Sequence, residues 1–256
     1  MPTPFTHLAA ARQMLADAVL APEQCALLHR ERGAFYLGSI AADGHYLAAR
    51  QRWETHFYRY DHMPDDPPWR VMLSENPSLW TPATDAARAF TAGYVAHLAV
   101  DEYWSRHLAA PYFGVETWGS RGFRFLMLNL LLILMDERDY AVITHPPDAR
   151  ADMAETLRNA CPSDWLPFLP DSALKEWNLL IERQVNPAGH SETLEILAPR
   201  MGKDMTPRRL RAMLDSEAML ERDLWANVPK TVWSTVERDM YVYARDSVCA
   251  YWLGNR

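Results

Sequence analysis

The chain has 256 residues, enough to bury a sizeable core without a disulfide or metal staple. Hydrophobic residues make up 49% and charged residues 23%, with a formal net charge of −7. That acidic balance argues against duplex nucleic acid as the main partner, since a phosphate backbone calls for a basic face.

Ten glycines against eighteen prolines, with many Ala, Leu, Arg and Glu, favour helices separated by proline-marked breaks. A first helix is expected over residues 8–20 with Thr6 as its N-cap, and a second over 22–32 with Pro22 in its first turn. Residues 33–42 are apolar with two glycines and read as a short helix or turn that delivers Asp43. Residues 50–58 form a short aromatic piece, and 64–68 a loop. The best-defined element is a long helix over 84–108, with an apolar stripe through Ala89, Phe90, Tyr94, Leu98 and Val100, ended by Pro111. Another helix covers 121–135, and its apolar run from Phe125 to Met135 is eleven residues long. A membrane span needs about 20, so this run is a buried helix core and no transmembrane segment is expected. After Pro146 and Pro147, helices are expected near 149–160, 173–184, 191–200, 207–214 and 232–253. The reading is all-α. Residues 1–145 form a metal-binding helical domain, and 146–256 a helical extension or cap packed on it, or one domain continuous with it. Cys25, Cys161 and Cys249 are far apart with no CxxC pair, as in reduced thiols. With no basic-then-apolar leader at the amino terminus, the expected location is cytoplasmic. The oligomeric state is not legible.

Seven of the nine histidines fall in the first 107 residues. The sharpest local pattern is His97-Leu-Ala-Val-Asp101, because residues four apart share a helix face and both side chains can reach one metal ion. Asp101 has two oxygens and can bridge two ions. Asp43 follows an apolar turn, His56 sits among aromatics, and His7 lies at the start of the first helix. Imidazole and carboxylate ligands together suit zinc, and also manganese or iron. Each residue also has an ordinary structural reading: a helix cap for His7, a turn before Gly44 for Asp43, a packed aromatic-cluster histidine for His56, a buried polar pair for His97 and Asp101. His107 lies about 280° around the helix from His97 and is expected at the surface, as are His29, His145 and His190. His45 and His62 are expected to be solvated.

Pro2-Thr-Pro-Phe-Thr-His7, Phe35-Tyr-Leu-Gly-Ser-Ile-Ala-Ala-Asp43, Thr55-His-Phe-Tyr58 and Gly93-Tyr-Val-Ala-His-Leu-Ala-Val-Asp101 occur in this order. Together they resemble the zinc-dependent phospholipase C family, also called the phospholipase C/D domain. The likeness to its cytoplasmic bacterial branch extends through Trp165-Leu-Pro-Phe168. The resemblance implies an all-helical fold related to nuclease P1, and zinc-dependent hydrolysis of phosphoesters. It implies that Asp43, His56, His97 and Asp101 hold one zinc, and that His7 and Asp101 help hold another. Asp43 is then a ligand or a water-orienting base. His107 stands where secreted members supply a ligand to a further ion, but no histidine follows between Trp118 and Asp136 to complete it. One or two ions are therefore expected. Secreted members also use the amino group of a processed N-terminal tryptophan, whereas this chain starts Met-Pro.

The expected function is metal-dependent phosphoester hydrolysis, on a soluble ester or a phospholipid. The alternative is a metal-binding helical protein with lost or changed activity. Paired Glu-x-x-His motifs, HExxH, GxSxG and a Walker A sequence are all absent, which removes di-iron, zinc-protease, serine-hydrolase and P-loop chemistry.

Overall fold

A computed structural model describes residues 1–60 and 62–254. The described residues form helices α1 (Pro4–Leu15), α2 (Pro22–Arg30), α3 (Arg32–Ile40), α4 (Arg52–His56), α5 (Pro68–Glu75) and α6 (Asp85–Trp104), followed by α7 (Arg121–Thr144), α8 (Pro147–Arg158), α9 (Asp171–Val185), α10 (Thr193–Leu197), α11 (Pro207–Leu214), α12 (Glu217–Met219) and α13 (Lys230–Gly254). The fold is all-α, and no strand occurs among the described residues. No described helix is long and apolar enough to cross a membrane.

Helix α6 is the axis of the structure. It is buried nearly all round, from Ala87 to Trp104, as expected of a helix with small and apolar residues on every face. The Thr84 hydroxyl caps its start by accepting from the Ala87 N–H (3.1 Å), a contact worth about 1 kcal/mol. α3 lies along one side of it and α13 along another. The approach of α3 is unusually close because two glycines face each other's backbones. A Cβ on Gly38 would fall 2.0 Å from the Phe90 carbonyl oxygen, and one on Gly93 would fall 2.2 Å from that of Phe35. This proximity lets a backbone carbonyl of α3 reach a side chain of α6.

Four boundaries differ from expectation. α1 begins at Pro4 rather than residue 8, because proline's fixed φ suits the first helical position. Thr6 therefore lies inside the helix, and Thr3 stands at the N-cap without a side-chain bond. The helix stops at Leu15, just ahead of Asp17, whose carboxylate takes the Val19 N–H (2.8 Å) and favours a turn. α7 runs on to Thr144, where His145 is forced into an extended conformation by the proline that follows. Pro111 does not end the long helix. The chain widens after Trp104 into a π-type segment, Ser105–Phe113, and bonds such as Gly114 N–H to Ala109 O (3.0 Å) run past the proline.

Gly93→Ala should destabilise the fold by about 1–3 kcal/mol, since the new methyl meets backbone that cannot yield. Gly122→Ala, with nothing within 4 Å of the added carbon, should be neutral or stabilising. Urea unfolding of the two variants measures the difference.

Candidate metal centre

Four elements deliver five side chains to one place. The second turn of α1 carries His7. A 3₁₀ segment after α3, Ala41–Ala48, carries Asp43. His56 ends α4, and α6 supplies His97 with Asp101 one turn later. The 3₁₀ segment is held at its start by the Trp177 indole of α9, which donates to the Ile40 carbonyl (2.7 Å), and by the Thr55 hydroxyl, which donates to the Ala42 carbonyl (3.0 Å). α4 is only one turn long. The Glu54 carboxylate stabilises its start by accepting the Gln51 N–H (2.7 Å). Phe57 stops it with a left-handed φ of 59°, a conformation costly for a residue with a Cβ. Its ring packs edge-on against Phe168 (5.1 Å).

Asp101 is the meeting point. Its Oδ2 lies 3.4 Å from His56 Nε2 and 3.6 Å from His97 Nε2, while its Oδ1 lies 3.4 Å from His7 Nε2. His56 Nε2 is also 3.4 Å from Asp43 Oδ1 and 3.4 Å from His97 Nε2. The His7 and His97 rings stack with centroids 3.8 Å apart. His97 Nδ1 donates to the Ser39 carbonyl (2.8 Å), and His56 Nδ1 to the Arg52 carbonyl (3.1 Å). A proton on each Nδ1, assigned from these acceptors, leaves Nε2 bare and aimed at the centre.

Charge and burial are in tension here. His7, His56, His97 and Asp101 are at most 1% exposed, and only Asp43 opens to solvent, at 23%. Burial pushes His7 below its ordinary value, and brings His56 down to about 4 with help from the Arg52 charge. Burial pulls on His97 in the same way, but the Asp101 carboxylate outweighs it and raises His97 overall. Burial works to raise both carboxyls, yet His97 and His7 hold Asp101 well below the usual range, and His56 with His97 does the same for Asp43.

These side chains fit a metal ion better than they fit one another. Most of the facing N–O and N–N distances are near 3.4 Å, long for a charge-assisted hydrogen bond of about 2.7–2.9 Å. Donor atoms bound tetrahedrally to zinc at about 2.0–2.1 Å stand about 3.4 Å from each other. Both ring nitrogens of His7 and Oδ1 of Asp101 are buried without a hydrogen-bond partner among the described residues. Among the described residues, two groups of donors are close enough to hold an ion, His7–His97–Asp101 and Asp43–His56–His97, and both come from these five side chains.

The other histidines sort mostly as expected. His107 is exposed and rests on the Tyr103 ring (4.1 Å), and His29, His62, His145 and His190 are exposed. His45 is the correction. It is half-buried, bonds the Ala42 carbonyl through Nδ1 (3.2 Å) and sets its ring edge-on to His56 (5.8 Å), because the 3₁₀ segment curls it back over the centre. Sequence reading missed Arg52, whose Nη2 donates to Asp101 Oδ2 (3.1 Å). Its position four residues before His56, on the same face of α4, was the available signal. Met1 also reaches the site. Its sulfur accepts from the Tyr58 and Ser105 hydroxyls (3.1 and 3.3 Å), and burial takes its amino group down to about 5.

A family model described as zinc dependent phospholipase C matches residues 6–133, half of the 256-residue chain. The match includes all five converging residues. No curated protein and no solved structure matches the chain.

His97 belongs to both donor groups, so His97→Gln should lower zinc affinity by more than about 100-fold, beyond the loss typical of a supporting residue. His107→Gln should leave it unchanged. Competition with a chromophoric chelator reads both.

Proposed function

This chain belongs to the zinc-dependent phospholipase C family, and we propose that it is a metal-dependent phosphoester hydrolase working at the His7–Asp43–His56–His97–Asp101 centre. The observation that carries the reading is the convergence of five buried or half-buried donors at the spacing of a zinc coordination shell. One or two zinc ions are proposed. Asp43, His56, His97 and Asp101 would hold the first, and His7 with the second oxygen of Asp101 would help hold the other. Bound zinc supplies a water of pKa near about 7 and positive charge for the phosphoryl oxygens.

The chain's own groups do the rest. Asp101 divides its two oxygens between the His56–His97 side and the His7 side, so one carboxylate charge serves both halves of the centre. The Ser39 and Arg52 carbonyls lock the tautomers of His97 and His56 and prevent the rings from turning. Asp43 is the most accessible of the five, and it is the carboxylate that meets entering water and takes up or orients its proton. His56 and His97 hold it ionised at neutral pH, which suits it to accept a hydrogen bond from that water and orient it. Residues 146–256 act as a brace, through the Trp177 bond that fixes the approach to Asp43 and through α13 against α6. A soluble phosphodiester, a phosphomonoester and a phospholipid all present the chemical group the centre recognises.

Asp101→Asn preserves shape but removes the shared charge and replaces one acceptor with a donor amide. Zinc-loaded wild type should hydrolyse at least one of a chromogenic phosphodiester, a phosphomonoester and phosphatidylcholine, and the variant should lose about 100-fold or more of that rate. Full activity in the variant would place the chemistry elsewhere. An inactive, zinc-loaded wild type on all three substrates would favour a binding protein.

A further inference from the structure

Arg52 offsets part of the charge of buried Asp101 but is not one of the five donors, and electrostatics argue against its guanidinium as a metal-holding device. Its Nη2 touches the Asp101 oxygen that faces His56 and His97. A guanidinium there withdraws donor strength from a ligand and repels a divalent ion a few ångströms away. A phosphoryl anion entering beside the ion would be held between two positive charges.

The side chain is built to stay in place. Nη2 donates both to Asp101 and to the Tyr58 hydroxyl (2.8 Å). The guanidinium carbon lies 4.6 Å from the Tyr58 ring centroid and 4.5 Å from that of Tyr60, which fixes the plane of the group by cation–π contact. Nη1 and Nε make no hydrogen bond among the described residues. The side chain nevertheless keeps 19% exposure, so a ligand can reach it from solvent. Arginine, with planar and permanently charged N–H donors, is the side chain best suited to phosphoryl oxygens.

Resting on the hydrolase reading above, we propose that Arg52 is the substrate-positioning residue of the centre, binding a non-bridging oxygen of the phosphoryl group through a donor that Asp101 and Tyr58 leave free, while Asp101 and the two tyrosines hold its guanidinium still. The chemical class it selects is a phosphate ester anion with at least one free non-bridging oxygen. Neutral esters gain nothing from it.

The test uses the full chain with zinc and inorganic phosphate as probes. Zinc affinity is measured first, by chelator competition, for wild type, Arg52→Gln and Arg52→Lys, with circular dichroism as the check on folding. Phosphate binding to each zinc-saturated protein is then measured by calorimetry. The expected result is zinc affinity equal to or tighter than wild type in Arg52→Gln, with phosphate affinity lower by about tenfold or more, the worth of hydrogen bonds to a charged group. Arg52→Lys should recover part of the phosphate affinity, because it restores the charge but not the fixed plane. Phosphate affinity unchanged in Arg52→Gln would overturn the proposal. Loss of zinc in Arg52→Gln, with phosphate binding intact at saturating zinc, would reduce Arg52 to a support for Asp101. A wild type that takes up no zinc, seen before phosphate is added, would remove the hydrolase reading and this one with it. If Arg52→Gln unfolds, Arg52→Lys carries the decision: wild-type phosphate affinity in that variant shows that the fixed guanidinium is not required.

Discussion

Asp101 has no exposure to solvent, and one of its two oxygens has no hydrogen-bond partner among the described residues. Burying a carboxylate that is not fully compensated costs several kcal/mol, so this helix position makes sense only if positive charge arrives. In the protein alone that charge comes from the Arg52 guanidinium, 3.1 Å from Asp101 Oδ2. A divalent cation answers the same need more completely, and His7 Nε2, 3.4 Å from Asp101 Oδ1, is placed to share it. The desolvated carboxylate is thus the constraint to which the surrounding architecture responds.

That architecture is mostly a matter of bringing backbone close to α6. The Gly38–Gly93 contact lets α3 approach near enough for the Ser39 carbonyl to take the His97 Nδ1 proton. The one-turn α4, stopped by a left-handed Phe57, presents both the His56 ring and the carbonyl that fixes its tautomer. α9 reaches across from the second half of the chain to hold the start of the Asp43 segment. His97 and the Asp43 segment are therefore oriented by groups on other elements, and residues late in the chain help to set a centre whose ligands all lie early.

The sequence made the helices and the five donors legible for different reasons. Periodicity and prolines were enough to place α6, α9, α11 and α13 within a few residues, because those helices have regular apolar faces. His97 and Asp101 followed from their spacing on one such helix. Asp43, His56 and His7 have no periodic relation to one another, and they were read from the family resemblance. What stayed hidden depends on contacts the sequence does not display: the curl that carries His45 back over His56, the Trp177 brace, and the packing of Arg52 against the Tyr58 and Tyr60 rings. Pro111 misled for a local reason, since a proline can sit within a widened helical turn that makes no use of its missing N–H.

Anomalous diffraction at the zinc absorption edge, from crystals grown with zinc, tests the central claim most directly. The account predicts anomalous density within about 2.0–2.2 Å of His56 Nε2, His97 Nε2 and an oxygen of Asp101, with a second peak, where present, beside His7 and the other Asp101 oxygen. Zinc bound only at surface sites such as His107, with the five side chains left as they stand here, would contradict it.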